Sequence, residues 1–114
     1  MLLPELLQKQ AKHILDKFCR ERVPCKRYQG LRLNYNIYDN HVTLFEEYLD
    51  PTGGEDWLRT SIARFKYTPE LNQWALYSID RQQRWHIYQG IKPSLNLNRL
   101  IKALDEDPTG IFWR

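Results

Sequence analysis

The chain changes its hydrophobic period twice, and that switch limits the folds open to it. From Pro4 to about Arg22 the apolar residues Leu3, Leu7, Ala11, Ile14 and Phe18 recur at steps of four and three, with Leu6 and Leu15 beside them. Such spacing makes one stripe of an amphipathic helix. Pro4 suits the first turn, where its missing N–H costs nothing, and Pro24 ends the helix by disfavouring the α region at Val23. From Leu31 the period becomes two: Leu31, Leu33, Tyr35 and Ile37 alternate with Arg32, Asn34, Asn36 and Tyr38. A helix period returns at the end, where Leu97, Leu100, Ile101 and Leu104 follow the i, i+3, i+4, i+7 rule, with Ser94 or Asn96 as N-cap. The predicted fold class is α+β, with an N-terminal helix, an antiparallel β-meander of about five strands and a C-terminal helix.

Turn residues set the expected registers. Asp39-Asn40 joins the first two strands, which pairs Tyr38 with His41, Ile37 with Val42, Tyr35 with Leu44, Leu33 with Glu46 and Arg32 with Glu47. After the loop Asp50-Pro51-Thr52-Gly53-Gly54, the third strand is expected over about Thr60 to Tyr67 and the fourth over Gln73 to Asp80. A four-residue loop, Pro69 to Asn72, places Tyr67 opposite Trp74, Phe65 opposite Leu76 and Ala63 opposite Ser78. Read as a tight turn, Gln82-Gln83 places Asp80 opposite Trp85, Ser78 opposite Ile87 and Tyr77 opposite Tyr88. Asp105, Glu106 and Asp107 oppose the macrodipole at the end of the last helix, which suggests another duty such as capping the turn that follows. Ile111-Phe112-Trp113 is apolar enough to dock on the core.

At 114 residues the chain is long enough for one core, so residues 1–114 read as a single domain. The start MLLPELLQKQ lacks the basic stretch and cleavage site of a signal peptide, and no apolar run approaches the ~20 residues of a membrane span. A soluble, cytoplasmic protein is the expectation. Cys19 and Cys25 have the wrong spacing for zinc, and a disulfide is disfavoured without export, so the plain reading is two reduced thiols with Cys19 partly buried. No phosphate-binding glycine loop, serine elbow or zinc signature occurs, and no cofactor and no metal are expected.

The net charge of +3 conceals blocks. Residues 1–32 hold eight Lys or Arg against three acids, residues 33–56 none against six, and residues 57–102 eight against two. The expected registers sort the meander into two faces. One collects Phe65, Tyr67, Trp74, Leu76, Trp85 and Ile87 with Leu33, Tyr35, Ile37, Val42 and Leu44, a core in need of a helix. The other collects Ile62, Arg64, Lys66, Tyr77, Ile79, Arg81, Arg84, His86 and Tyr88, with Phe45. Basic groups mixed with rings hold a phosphate backbone and stack on single-stranded bases, so Arg64, Tyr77, Arg84, His86 and Tyr88 form the candidate binding face. The competing reading is that the C-terminal helix covers this face and makes it a second core. A small ribonuclease using Arg64, Arg84 and His86 is the enzymatic alternative. Glu46 breaks the pattern on the core side, and an ion pair to Arg20 or Arg22 is expected to satisfy it.

Several stretches together resemble a known family: Phe18-Cys19, Val42 to Glu46, Ile62-Ala63-Arg64-Phe65 with Tyr67, Trp74 with Leu76-Tyr77, Asp80-Arg81, Arg84-Trp85-His86 with Tyr88, and the closing Asp107-Pro108-Thr109-Gly110-Ile111-Phe112-Trp113. The chain resembles the bacterial family known as domain of unknown function three thousand and twenty-four over nearly its whole length. It departs from the family pattern at Gln82-Gln83, where Asn-Gly is expected, and at Ser78, where Trp is expected. The resemblance implies a stand-alone bacterial cytoplasmic protein and carries over no catalytic or binding residue. The function expected is a non-catalytic binding module whose partner is nucleic acid or protein.

Overall fold

Five antiparallel strands form one open sheet in the order β1-β2-β3-β4-β5, with a helix at each end of the chain. The elements are α1 (Glu5–Arg22), β1 (Leu31–Tyr38), β2 (His41–Leu49), β3 (Trp57–Thr68), β4 (Gln73–Ile79), β5 (Trp85–Ile87) and α2 (Leu97–Glu106). The structure is a computed structural model that describes residues 3–22, 30–50, 52–53 and 56–113. The expected helix stop at Pro24, the thiol of Cys25 and the loop residues Pro51 and Gly54 lie outside the described residues.

The first two hairpins follow their turns. Asp39 takes a positive φ of 55°, and β1 pairs with β2 in the expected register, with Arg32 opposite Glu47 and Tyr38 opposite His41. The β3–β4 hairpin also has the expected pairs, Tyr67 with Trp74, Phe65 with Leu76 and Ala63 with Ser78. Asn72 supplies the positive φ, 49°, that closes the loop between them.

Two details of the meander correct the expected sorting of faces. Between β2 and β3 the register shifts at Leu44/Phe45: Leu44 faces Ala63 but Phe45 faces Ser61. Ile62 is thus the extra residue of a β-bulge, and it joins the core cluster with Ala63 instead of the opposite face. The second correction is in β5. Asp80 N–H donates to Arg84 O, leaving a three-residue loop with Gln83 at φ 64°. The pairs are therefore Ile79 with Trp85, Ser78 with His86 and Tyr77 with Ile87, one residue away from those a two-residue turn predicts. A slip of one residue exchanges the faces of a strand. Trp85 and Ile87 move to the side of Tyr77, and His86 moves to the side of Ser78.

Both helices pack on one side of the sheet. Ala11 and Leu15 of α1 and Leu97, Leu100, Ile101 and Leu104 of α2 share one buried cluster with Val42, Leu44, Phe65, Tyr67, Trp74 and Leu76. Alternation puts those strand residues on a single face, called here the inner face. A hollow lined by Leu7, Ala11, Ile14, Trp74 and Leu97 marks where the two helices meet over β4. Leu3 N–H donates to Asp39 O at 2.8 Å, and the Tyr35 hydroxyl donates to Asp16 Oδ1 at 2.6 Å, so α1 is tied to the first hairpin at two points.

Side chains close the ends of α2. Asn96 Oδ1 accepts from Asn98 N–H at 3.0 Å as N-cap. Asp107, in the left-handed region at φ 39°, accepts through its carboxylate from the backbone N–H groups of Ile111, Phe112 and Trp113. That is the turn-capping duty its unfavourable place at the helix end suggested. The turn lays Phe112 into the core, edge-on to Tyr88 with ring centroids 5.0 Å apart. Tyr88 is 7% exposed, so it is a core residue and not part of the candidate binding face.

Candidate nucleic-acid interface

Because α1 and α2 both take the inner face, neither covers the outer face. Strand alternation places on it Arg32, Asn34 and Asn36 of β1, His41, Thr43, Phe45 and Glu47 of β2, and Arg59, Arg64 and Lys66 of β3. Ala75, Tyr77 and Ile79 of β4 and Trp85 and Ile87 of β5 complete it. Three arginines there lie on aromatic rings. The Arg32 guanidinium is 3.9 Å from the Trp57 ring centroid, Arg59 is 4.3 Å from Phe45, and Arg64 is 4.4 Å from Trp85. Each stack contributes on the order of 0.5–1 kcal/mol at an exposed site. It also fixes a planar cation flat on the sheet.

Glu47 organises this group. Its carboxylate, 3% exposed by residue, accepts from Arg32 Nε at 3.0 Å, Arg59 Nε at 3.2 Å and Asn34 Nδ2 at 3.3 Å. Burial pushes its pKa up, but the hydrogen bonds from Asn34, Arg32 and Arg59, with the Arg32 charge, outweigh that and hold it below the ordinary carboxylate range. Glu47 is the one carboxylate that alternation places on the strands of this face. Against it stand Arg32, Arg59, Arg64 and Lys66, so the face is net positive. Burial and the neighbouring Arg64 also lower the His41 pKa from its ordinary value, which favours the neutral ring there. The same face burial lowers the pKa of Arg64, whose Nε donates to the Thr43 hydroxyl at 3.1 Å.

The five residues expected to share a face divide three ways. Arg64 and Tyr77 are direct cross-strand partners on the outer face. Arg84 and His86 converge instead on Asp80 at the β4–β5 turn: His86 Nε2 donates to Asp80 Oδ2 at 2.6 Å, and Arg84 Nε lies 3.4 Å from the same oxygen. The backbone N–H of Arg84, then the His86 side chain, hold the Asp80 carboxyl near a pKa of about 2. Tyr88 belongs to the core. The trio Arg64, Arg84 and His86 is thus split between the two faces of the sheet, and the geometry does not assemble it around one point.

Arg32, Trp57, Arg59 and Trp85 are the residues of this face that sequence reasoning left out. The pairing of Arg32 with Glu47 was legible from the first turn. Starting β3 at Thr60 left Trp57 and Arg59 without a face, because Trp57-Leu58-Arg59-Thr60-Ser61 runs two apolar residues into three polar ones and shows no alternation. Trp85 was misplaced by the turn before it. Glu46, expected to need Arg20 or Arg22, lines a hollow with Arg59, Ile62 and Arg81, while Arg22 pairs with Asp105 and stacks on Trp113 at 4.1 Å.

Among the described residues no group of three or more His, Cys, Asp or Glu could hold a metal ion. No described helix is long and apolar enough to cross a membrane. The model of the family described as domain of unknown function (DUF3024) matches residues 3–114. The chain belongs to that family. No curated protein and no solved structure matches it. The outer face is the feature of this DUF3024 chain that bears on function.

Proposed function

We propose that this protein is a non-catalytic binding module that holds single-stranded nucleic acid on the outer face of its sheet. The observation that carries the reading is the set of three Arg–aromatic stacks spread from β1 to β5 on a face that neither helix covers. Guanidinium edges and Lys66 supply contacts to phosphate, while Trp57, Trp85 and Tyr77 supply rings for bases. A sheet with strands about 4.8 Å apart spaces such rings to suit an extended single strand. A duplex offers no such unstacked bases.

Tryptophan emission tests the reading. Trp57 and Trp85 are on the outer face, whereas Trp74 is buried in the core. Titration with polyuridylate at low salt is expected to quench part of the emission in a saturable way, and the Trp57→Phe, Trp85→Phe double variant is expected to lose that response. Quenching that survives in the double variant, or no quenching in the parent, contradicts the proposal and leaves a protein partner for this face.

A further inference from the structure

A second feature lies at the β5 edge of the sheet, where Ile79 and Ile87 of the outer face meet Ser78 and His86 of the inner one. Beyond the end of α2, β5 and the C-terminal turn leave a cleft of about 650 Å³ lined by Ser78, His86, Ile87, Tyr88, Gly90 and Ile111, among others. That volume is in the range of small-molecule sites. We propose that this cleft binds a flat heteroaromatic ring of nucleobase size.

Three properties of the cleft point to that class. Its walls are mainly apolar: Ile79, Ile87, Ile111, the Tyr88 ring and two glycines, Gly90 and Gly110. Gly90 lies so close against Tyr88 that a Cβ there would collide with the ring and its hydroxyl, so the wall is flat because no side chain fits. Its polar groups are the Ser78, Thr109 and Tyr88 hydroxyls, the His86 ring, the Gln89 amide and the Asp80 carboxylate, and all but the last can both donate and accept. His86 engages Asp80 through Nε2, which leaves Nδ1 as its second hydrogen-bonding atom.

The second, independent observation is the Tyr88 hydroxyl. It is buried and has no hydrogen-bond partner among the described residues, a state that costs on the order of 1–3 kcal/mol. The hydroxyl sits beneath Gly90 at the wall of the cleft, and a ligand that shifts the Gln89–Gly90 turn slightly would supply the missing partner. An aliphatic ligand would fill the walls and leave that hydroxyl unpaired. A strongly anionic ligand would meet the ionised Asp80 carboxylate at the rim. A ring with apolar faces and a hydrogen-bonding edge satisfies both conditions. Free nucleosides and an unstacked base of a polynucleotide share this chemistry.

The test is a titration of the full chain with adenosine, uridine and benzyl alcohol, followed residue by residue in nitrogen–proton NMR spectra. Saturable shifts of the Ser78, His86, Ile87, Gly90 and Gly110 amides are expected with at least one nucleoside, tighter by tenfold or more than with benzyl alcohol. His86→Ala is expected to weaken the nucleoside at least fivefold. Gly90→Ala, which crowds Tyr88, should abolish binding; if that variant does not fold, Tyr88→Phe removes the hydroxyl alone and should weaken the nucleoside severalfold. Oligouridine that shifts the same amides identifies a base in a strand as the source, and nucleoside alone identifies the free ligand. No saturable shifts at these amides, equal affinity for benzyl alcohol, or affinity unchanged in His86→Ala and Tyr88→Phe overturns the proposal. Loss of polyuridylate quenching at Trp57 and Trp85 bears on the outer face alone and leaves this result to be read separately.

Discussion

Arg64 on β3 reaches across β4 to lay its guanidinium 4.4 Å from the ring centroid of Trp85 on β5. The contact joins strands that are not neighbours and pins the three-residue edge strand to the middle of the sheet. A double-mutant cycle with Arg64→Met and Trp85→Leu, measured by urea unfolding, is expected to give a coupling energy of about 0.5–1 kcal/mol. Strict additivity of the two changes would mean that the stack contributes nothing.

Glu47 is the counter-charge on which two of the outer-face arginines converge. Glu47→Ala is expected to lower stability by about 1–3 kcal/mol, the range for losing hydrogen bonds from charged donors to a buried acceptor. The effect should exceed that of Arg32→Ala, because each arginine side chain is about half exposed and can be solvated on losing its partner. Equal stability of Glu47→Ala and the parent would contradict the assigned role.

Acid should weaken the β4–β5 turn in a definable window. The Asp80 carboxyl is held near about 2 in the folded chain, against an ordinary value of 3.8. The folded value is the lower one, so the unfolded chain binds the proton first. The stability this group lends is complete above roughly pH 4 and is lost as pH falls through about 2. Glu47, also lowered, acts in the same direction. Denaturant unfolding of Asp80→Asn should therefore show a smaller fall in stability than the parent between about pH 4 and pH 2. Parallel curves would refute the assignment.

Cys19 should be a sluggish thiol. Burial first, and the Asp16 carboxylate second, raise its pKa to about 11. In a Cys25→Ser background, labelling with a disulfide reagent near pH 8 is expected to run about 100-fold slower than for a free thiol, in line with its thiolate fraction. Labelling at the rate of a free thiol would show that Cys19 is not packed against the core cluster.

Much of this architecture can be read from the chain because local signals and long-range packing agree. Asp39-Asn40 and the Pro69–Asn72 loop both contain residues that tolerate positive φ, and each places its hairpin in the observed register. The helical stripes of α1 and α2 likewise point to buried faces that the core confirms. The last hairpin was not legible in the same way. Its left-handed position is taken by Gln83, a residue with no special liking for that region, and the turn is held by Asp80 Oδ1 accepting from Gln82 and Arg84 N–H at 2.9 Å. Asp80 is a common turn-opening residue, but its type does not say how many residues the turn encloses. The bulge at Ile62 had no glycine or proline to announce it either. These two single-residue offsets moved Ile62 off the candidate face and brought Trp85 onto it, and they separated His86 from Arg64.

Salt-dependent binding of a single strand tests the central claim most directly. Fluorescence anisotropy with a labelled oligouridine 12-mer should show binding at about 50 mM salt that weakens by roughly 20- to 50-fold at about 200 mM, the range for three to four phosphate contacts from Arg32, Arg59, Arg64 and Lys66. Charge reversal at Arg64 and Lys66 together should weaken binding at least tenfold and flatten the salt dependence, with the fold retained. No binding at low salt, or binding that ignores both salt and the reversals, would contradict the account of the outer face.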